Sequence, residues 1–182
     1  RGLGDVYKRQ LLEPKDYGGI PDKTNSKALI LDTIYSEHRN LSSILTVNRK
    51  LFDKSVLKAF SSIHDCCSIA WRCNWDITKA RYYHSDEGYE PHTDASTQFL
   101  AFSYFYKEPK KFTGGEVFFP SYDYDYSCDN NSVIILPGWV EHGVRKVKID
   151  DSDYFDGWGR YAITSFFGNK DRSVDMDTKG ES

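Results

Sequence analysis

The sequence predicts a mainly β protein, a closed β-sandwich or jelly roll, on three observations. Aromatic residues make up 15% of its 182 positions, with 13 Tyr and 11 Phe against a single Met, a balance that suits half-buried pleated surfaces better than a helical bundle. From Ser68 onward, seven or eight short runs rich in β-branched and aromatic residues follow one another, among them TQFLAFSYFY, NSVIILPG and RYAITSFFG. Gly, Pro, Asn or Asp bounds each run and supplies the turns that such a sheet needs.

The elements follow in chain order. Residues 1–15 open as RGLGDVYKRQ with no initiator Met and are expected to be a non-native or disordered leader. Residues 16–25 (DYGGIPDKTN) are turn-rich and read as a loop. Ser26 precedes Ala28, Leu29, Leu31, Ile34 and Tyr35 at rough helical spacing, which predicts a helix capped by that serine. Val56, Leu57, Phe60, Ile63 and His64 predict a second helix over 54–67. Residues 26–67 are therefore expected to be helical support packed on one sheet. Residues 68–168 complete, as the jelly-roll core, a single domain spanning 16–168. The stretch 169–182 has almost no apolar content and is expected to be a flexible tail.

Charge narrows the partners. A formal net charge of −3 leaves no electrostatic footprint for nucleic acid or an anionic membrane, so neither is expected. No run approaches the roughly 20 apolar residues that span a bilayer. The four cysteines, Cys66, Cys67, Cys73 and Cys128, contain no C-x-x-C pair, and reduced thiols in a cytoplasmic protein are the expectation. Oligomeric state is not legible.

Chemistry begins at Pro91-His92-Thr93-Asp94. On an extended segment the side chains at i and i+2 share a face, so His92 and Asp94 can grip one ion. Fifty residues on, His142 follows the strongly β run SVIILPG. Two His and one carboxylate form the facial triad that leaves adjacent positions open on a non-haem Fe(II). His84-Ser85-Asp86 repeats the H-x-D pattern, but Glu87-Gly88 follows it and it reads as a loop tip, whereas a long strand over 99–106 follows His92 and Asp94. In RYAITSFFG, Arg160 alternates onto the face of Ala162 and Thr164. A guanidinium there is costly to bury unless it meets an anion, and its planar fork suits a carboxylate. An internal salt bridge is the alternative. Arg145 is a rival anion binder, although Lys146 and Lys148 beside it favour a solvated basic edge.

Over residues 80–168 the chain resembles the Fe(II)- and 2-oxoglutarate-dependent oxygenases, in their prolyl 4-hydroxylase-like branch. The resemblance is carried, in order, by Tyr83-His84-Ser85-Asp86-Glu87-Gly88-Tyr89-Glu90-Pro91-His92-Thr93-Asp94, by the strand through Tyr104 with Gly114-Gly115-Glu116, by Asn131-Ser132-Val133-Ile134-Ile135-Leu136-Pro137 with His142-Gly143-Val144, and by Arg160-Tyr161-Ala162-Ile163-Thr164. It implies a double-stranded β-helix with His92, Asp94 and His142 as iron ligands. Arg160 would bind the C5 carboxylate of 2-oxoglutarate, with Tyr83, or else Tyr104, donating a hydroxyl to the same group. It further implies O2 as oxidant, ascorbate as reductant, and hydroxylation of an unactivated C–H coupled to decarboxylation of 2-oxoglutarate to succinate. A prolyl residue of a peptide or protein is the leading substrate, with a free amino acid or other small metabolite as the alternative. A non-catalytic jelly-roll binding module and a cupin-like metal enzyme without 2-oxoglutarate are the competing classes. The chain departs from the family pattern by an acidic insert over 150–159 and by Ala162 two positions after Arg160.

Around this set, Tyr122, Tyr124 and Tyr126 alternate with Asp123 and Asp125 and would form a substrate-facing wall or ordinary sheet packing. Trp139 and Trp158 flank the distal His and the insert, as pocket rim or as packing. The insert itself reads as a candidate substrate loop.

Overall fold

A computed structural model describes residues 11–154 and 156–170. Among the described residues the strands are β1 (Lys27–Ile30), β2 (Trp75–Tyr83), β3 (Tyr89–His92), β4 (Phe99–Phe105), β5 (Phe112–Thr113), β6 (Val117–Phe119), β7 (Tyr124–Tyr126), β8 (Ser132–Pro137), β9 (His142–Val144), β10 (Lys148–Ile149) and β11 (Arg160–Gly168). The helices are α1 (Leu31–Ile34), α2 (Ser43–Asn48) and α3 (Lys54–Ser61). A five-stranded sheet runs β1-β2-β11-β4-β8, a four-stranded sheet runs β3-β9-β6-β7, and β5 pairs with β10. The pairings are antiparallel. This is the double-stranded β-helix, with helices packed on one sheet.

Alternation along the strands builds two layers. On β4, Leu100, Phe102 and Tyr104 enter the main core between the sheets with Val117 and Val147, while Phe99 and Ala101 face the helices. β11 does the same, Phe166 pointing inward and Phe167 outward. On the outer face Phe60 meets Phe99 edge-on at 5.0 Å and Phe52 meets Phe167 at 4.9 Å. Such pairs contribute about 0.5–1.5 kcal/mol each beyond the area they bury. No helix among the described residues is long and apolar enough to cross a membrane. All four cysteines are free.

The N-terminal segment departs from the helical expectation. Residues 27–30 form β1, which pairs with β2 in the register Lys27↔Tyr82 to Ile30↔Lys79, and the helix that follows is only α1. Ser26 and Ala28 are fully buried two residues apart, a strand period that the run of small and aliphatic residues also satisfies. The long-range partner decides between the two periods. The second helix stops at Ser61: Ser62 Oγ bonds back to the Ala59 carbonyl and His64 caps a separate 3-10 segment, Asp65–Arg72, where the sequence suggested a strand.

The leader expected over 1–15 lies outside the described residues up to 10. Leu12 exchanges both backbone hydrogen bonds with Ala28, at 2.8 and 3.1 Å, and Pro14 is buried, so the fold takes in 12–15. At the other end, Lys170 N–H donates to Asn74 Oδ1 at 2.9 Å, and the remainder of the expected tail lies outside the described residues.

Candidate metal centre

His92 ends β3 and His142 begins β9, and the two are direct cross-strand partners. Asp94 follows in the loop, held by its N–H to the Gly138 carbonyl at 2.8 Å and by Thr97, whose N–H and hydroxyl both donate to the Asp94 carbonyl. A Cβ on Gly138 would fall 2.6 Å from that same Asp94 oxygen, so the loop closes only over glycine. One ligand atom from each of His92, Asp94 and His142 lies within 4.8 Å of the others. Asp94 Oδ2 is 3.8 Å from His92 Nε2 and 3.6 Å from His142 Nε2.

The hydrogen bonds set the tautomers. Nδ1 of His92 lies 2.9 Å from the Glu90 carbonyl and Nδ1 of His142 lies 2.9 Å from the Val140 carbonyl. A carbonyl only accepts, so each Nδ1 carries the proton and each Nε2 presents its lone pair toward Asp94. Burial, together with the neighbouring His142, pushes His92 down to about 4. Burial lowers His142 as well, and Arg81 adds to both shifts. Both rings are therefore neutral at neutral pH, as metal ligation needs. Tyr89 stacks on His92 at 3.7 Å and Phe102 meets His142 edge-on at 5.3 Å, fixing the ring planes.

Deeper in the same cleft lies Arg160, 2% exposed, opposite Tyr83 in the β2–β11 register. Its guanidinium sits over the Tyr83 ring at 4.8 Å and the Tyr104 ring at 4.6 Å. Among the described residues its Nε and Nη1 are buried without a hydrogen-bond partner, as is the Tyr104 hydroxyl. The Cys128 thiol, 3.9 Å from Nη2, is a poor substitute for an oxygen acceptor. Orphaned donors on a buried cation and an adjacent phenol fit an incoming carboxylate. Gly115, at φ +79°, makes room for this side chain: a Cβ there would sit 2.8 Å from Arg160 Cδ. Of the two phenols that flank Arg160, Tyr104 is the one whose hydroxyl is buried without a hydrogen-bond partner among the described residues, which makes it a candidate carboxylate donor beside Tyr83.

Lys79 and Arg81 went unremarked in the sequence although they line this cleft. The signal was the alternation already used for Arg160: Lys79, Arg81 and Tyr83 share one face of β2. Each of the two cations is 8% exposed.

The remaining candidates fall elsewhere. His84 stacks on Tyr154 at 3.8 Å and Asp86 sits in the turn at φ +64°, so this second H-x-D is a loop, as expected. Arg145 makes an exposed two-pronged pair with Asp125 at 3.0 and 3.1 Å. The Tyr alternation breaks because Asp123 adopts φ +48°; Tyr122 falls in a 3-10 turn, Tyr124 is exposed, and neither lines the cleft. Trp139 is exposed, and Trp158 packs on the core beneath Lys107 and Lys111 rather than at the cleft. In the insert, Asp153 pairs with Lys111 at 2.8 Å; Phe155 lies outside the described residues.

No protein-family model matches the chain, and no curated protein matches it by sequence. Solved structures do match. A Pseudomonas putida prolyl-4-hydroxylase superposes with a TM-score of 0.60 over 93% of this chain and 83% of its own, at 13% identity. The chain has the prolyl 4-hydroxylase fold. A viral collagen prolyl hydroxylase from Paramecium Bursaria Chlorella virus-1, solved as a 2-oxoglutarate complex, gives 0.50 over 90% of this chain and 87% of its own, at 15% identity.

Proposed function

We propose that the protein is an Fe(II)- and 2-oxoglutarate-dependent dioxygenase that hydroxylates an unactivated C–H, with a prolyl residue as the leading target. One observation carries the reading: a neutral His, His, Asp cluster and a buried Arg with orphaned donors line a single cleft. The orphaned donors of Arg160 favour a carboxylate co-substrate over a metal site that binds none.

His92, Asp94 and His142 would hold the iron through two Nε2 atoms and a carboxylate oxygen. Arg160 and Tyr104 would hold the C5 carboxylate of 2-oxoglutarate, Arg160 donating from Nε and Nη1 and Tyr104 from its hydroxyl. Together with O2 and 2-oxoglutarate, the bound metal supplies the oxidising power, one oxygen atom entering the C–H bond and the other entering succinate as carbon dioxide is lost. The protein's share is orientation and exclusion of water. The Tyr83 and Tyr104 faces hold the guanidinium in one plane, and Phe102, Val117 and Phe166 keep the cleft walls apolar.

The test is anaerobic. Adding Fe(II) and then 2-oxoglutarate should produce a visible metal-to-ligand charge-transfer band that is lost in His142→Ala and needs far more 2-oxoglutarate in Arg160→Ala. Iron bound without any band in the wild type would overturn the reading.

A further inference from the structure

The cleft holds more positive charge than the proposed chemistry uses. Lys79, Arg81 and Arg160 all line it, and Asp94 is the acid that lines it with them. If the proposed function holds, a divalent metal, Asp94, the two carboxylates of 2-oxoglutarate and Arg160 cancel one another. Lys79 and Arg81 are left over, beside a dication, in a place where water cannot screen them.

Their position follows from the register. Across the large sheet, Lys79 pairs with Thr164 and Thr164 with Phe102, whose ring touches His142. Arg81 lies two residues further along β2, level with Ala162 and Tyr104, and Tyr83 two further again, opposite Arg160. The pair therefore lines the cleft from β2 at the level of Phe102 and Tyr104, whereas Arg160 lines it from β11 at the level of Tyr83.

Arg81 is built in rather than left over from the surface. It is more than nine-tenths buried, its Nε has no partner, and the rings of Tyr17 and Tyr89 flank it at 5.0 and 5.7 Å. Those rings fix its plane but bring no negative charge. Among the described residues neither Lys79 nor Arg81 makes an ion pair. A planar fork with an ammonium two residues away on the same strand face suits a planar carboxylate.

We infer that Lys79 and Arg81 form a second anion subsite, which receives a carboxylate of the substrate to be hydroxylated. This rests on the proposed function and narrows its substrate to an acid. The carboxylate could belong to a free amino acid or to an acidic residue beside the target in a peptide; the recognition chemistry is the same.

Anaerobic protein loaded with Fe(II) and 2-oxoglutarate is titrated with three sets of compounds, reading perturbation of the charge-transfer band. These are free L-proline and the other free L-amino acids, their C-terminal amides, and blocked prolyl peptides carrying Glu or Gln next to the proline. At least one carboxylate compound should bind the wild type at least tenfold more tightly than its amide or Gln counterpart. Arg81→Gln and Lys79→Met should each weaken that compound at least tenfold and erase the preference, with Arg81→Lys recovering part of it. Circular dichroism checks the fold of each variant, and Lys79→Met stands as an independent probe should Arg81→Gln fail to fold. Free acids binding identifies a metabolite, and binding by Glu peptides alone identifies an acidic peptide; both support the subsite. Neutral peptides binding as well as acids, or no carboxylate compound binding at all, overturns it. So does an Arg81→Gln protein that loses 2-oxoglutarate as severely as Arg160→Ala does. Absence of the band in iron-loaded wild type removes the proposed function itself, and this inference with it.

Discussion

Arg160→Met exchanges a buried guanidinium for an apolar chain of similar length, and its effects on stability and on binding should separate. Removing the cation forfeits its contacts with the Tyr83 and Tyr104 rings, about 1–2 kcal/mol for the pair. It also removes two buried N–H groups that lack partners, and an unsatisfied buried polar group costs about 1–3 kcal/mol, more when charged. The ligand-free protein should therefore lose no more than about 1 kcal/mol, a fall in Tm of roughly 2–4 °C in a chain of this size, or gain stability. Binding moves the other way. Two charge-assisted hydrogen bonds at about 1.5–3 kcal/mol each would be lost, weakening 2-oxoglutarate by about 10²–10⁴-fold. The assay is anaerobic thermal unfolding with Fe(II), with and without 2-oxoglutarate. Ligand at a hundred times the wild-type Kd should stabilise the wild type by about 2.7 kcal/mol and the variant by no more than about 0.4 kcal/mol. A variant that binds 2-oxoglutarate within fivefold of wild type, or whose ligand-free Tm falls by more than about 8 °C, refutes the reasoning: Arg160 would then be satisfied by the protein itself.

Three further outcomes are expected. His92 is held near 4 in the fold against about 6.5 in the unfolded chain, so the unfolded state takes up the proton first as pH falls. Metal-free stability should drop between about pH 6.5 and 4, by on the order of 3 kcal/mol from this group, and His92→Gln should flatten that part of a Tm-against-pH curve. Gly115→Ala puts a Cβ at φ +79° and 2.8 Å from Arg160 Cδ; it should cost about 1–3 kcal/mol in denaturant unfolding and raise the 2-oxoglutarate Kd at least tenfold, and an unchanged Kd would mean Arg160 does not depend on that turn. Arg145→Ala breaks only the exposed pair with Asp125, so stability should change by less than about 1 kcal/mol, and a tenfold loss of 2-oxoglutarate affinity would restore Arg145 as the anion binder.

The fold class is legible in the sequence, because period-2 alternation on strands such as β4 and β11 is local and leaves few alternatives once turn residues bound each run. The sequence also determined which residues could meet at a metal, since His92 and Asp94 are two apart and His142 follows an unmistakable strand. Its errors fell where partners are distant. Residues 26–35 satisfy a helix and a strand about equally well, and β2 decided for the strand by offering its edge. Tyr83 and Tyr104 could not be ranked from spacing, because what sets Tyr104 apart is a hydroxyl buried without a hydrogen-bond partner among the described residues, which only the packed core shows. Lys79 and Arg81 were missed for a related reason. Alternation puts a cation on a face, but only the packed sheets show that the face looks into the cleft and that, among the described residues, no ion pair satisfies it there. Local pattern sets what each segment can be; burial and pairing across the fold set what each charge is left without.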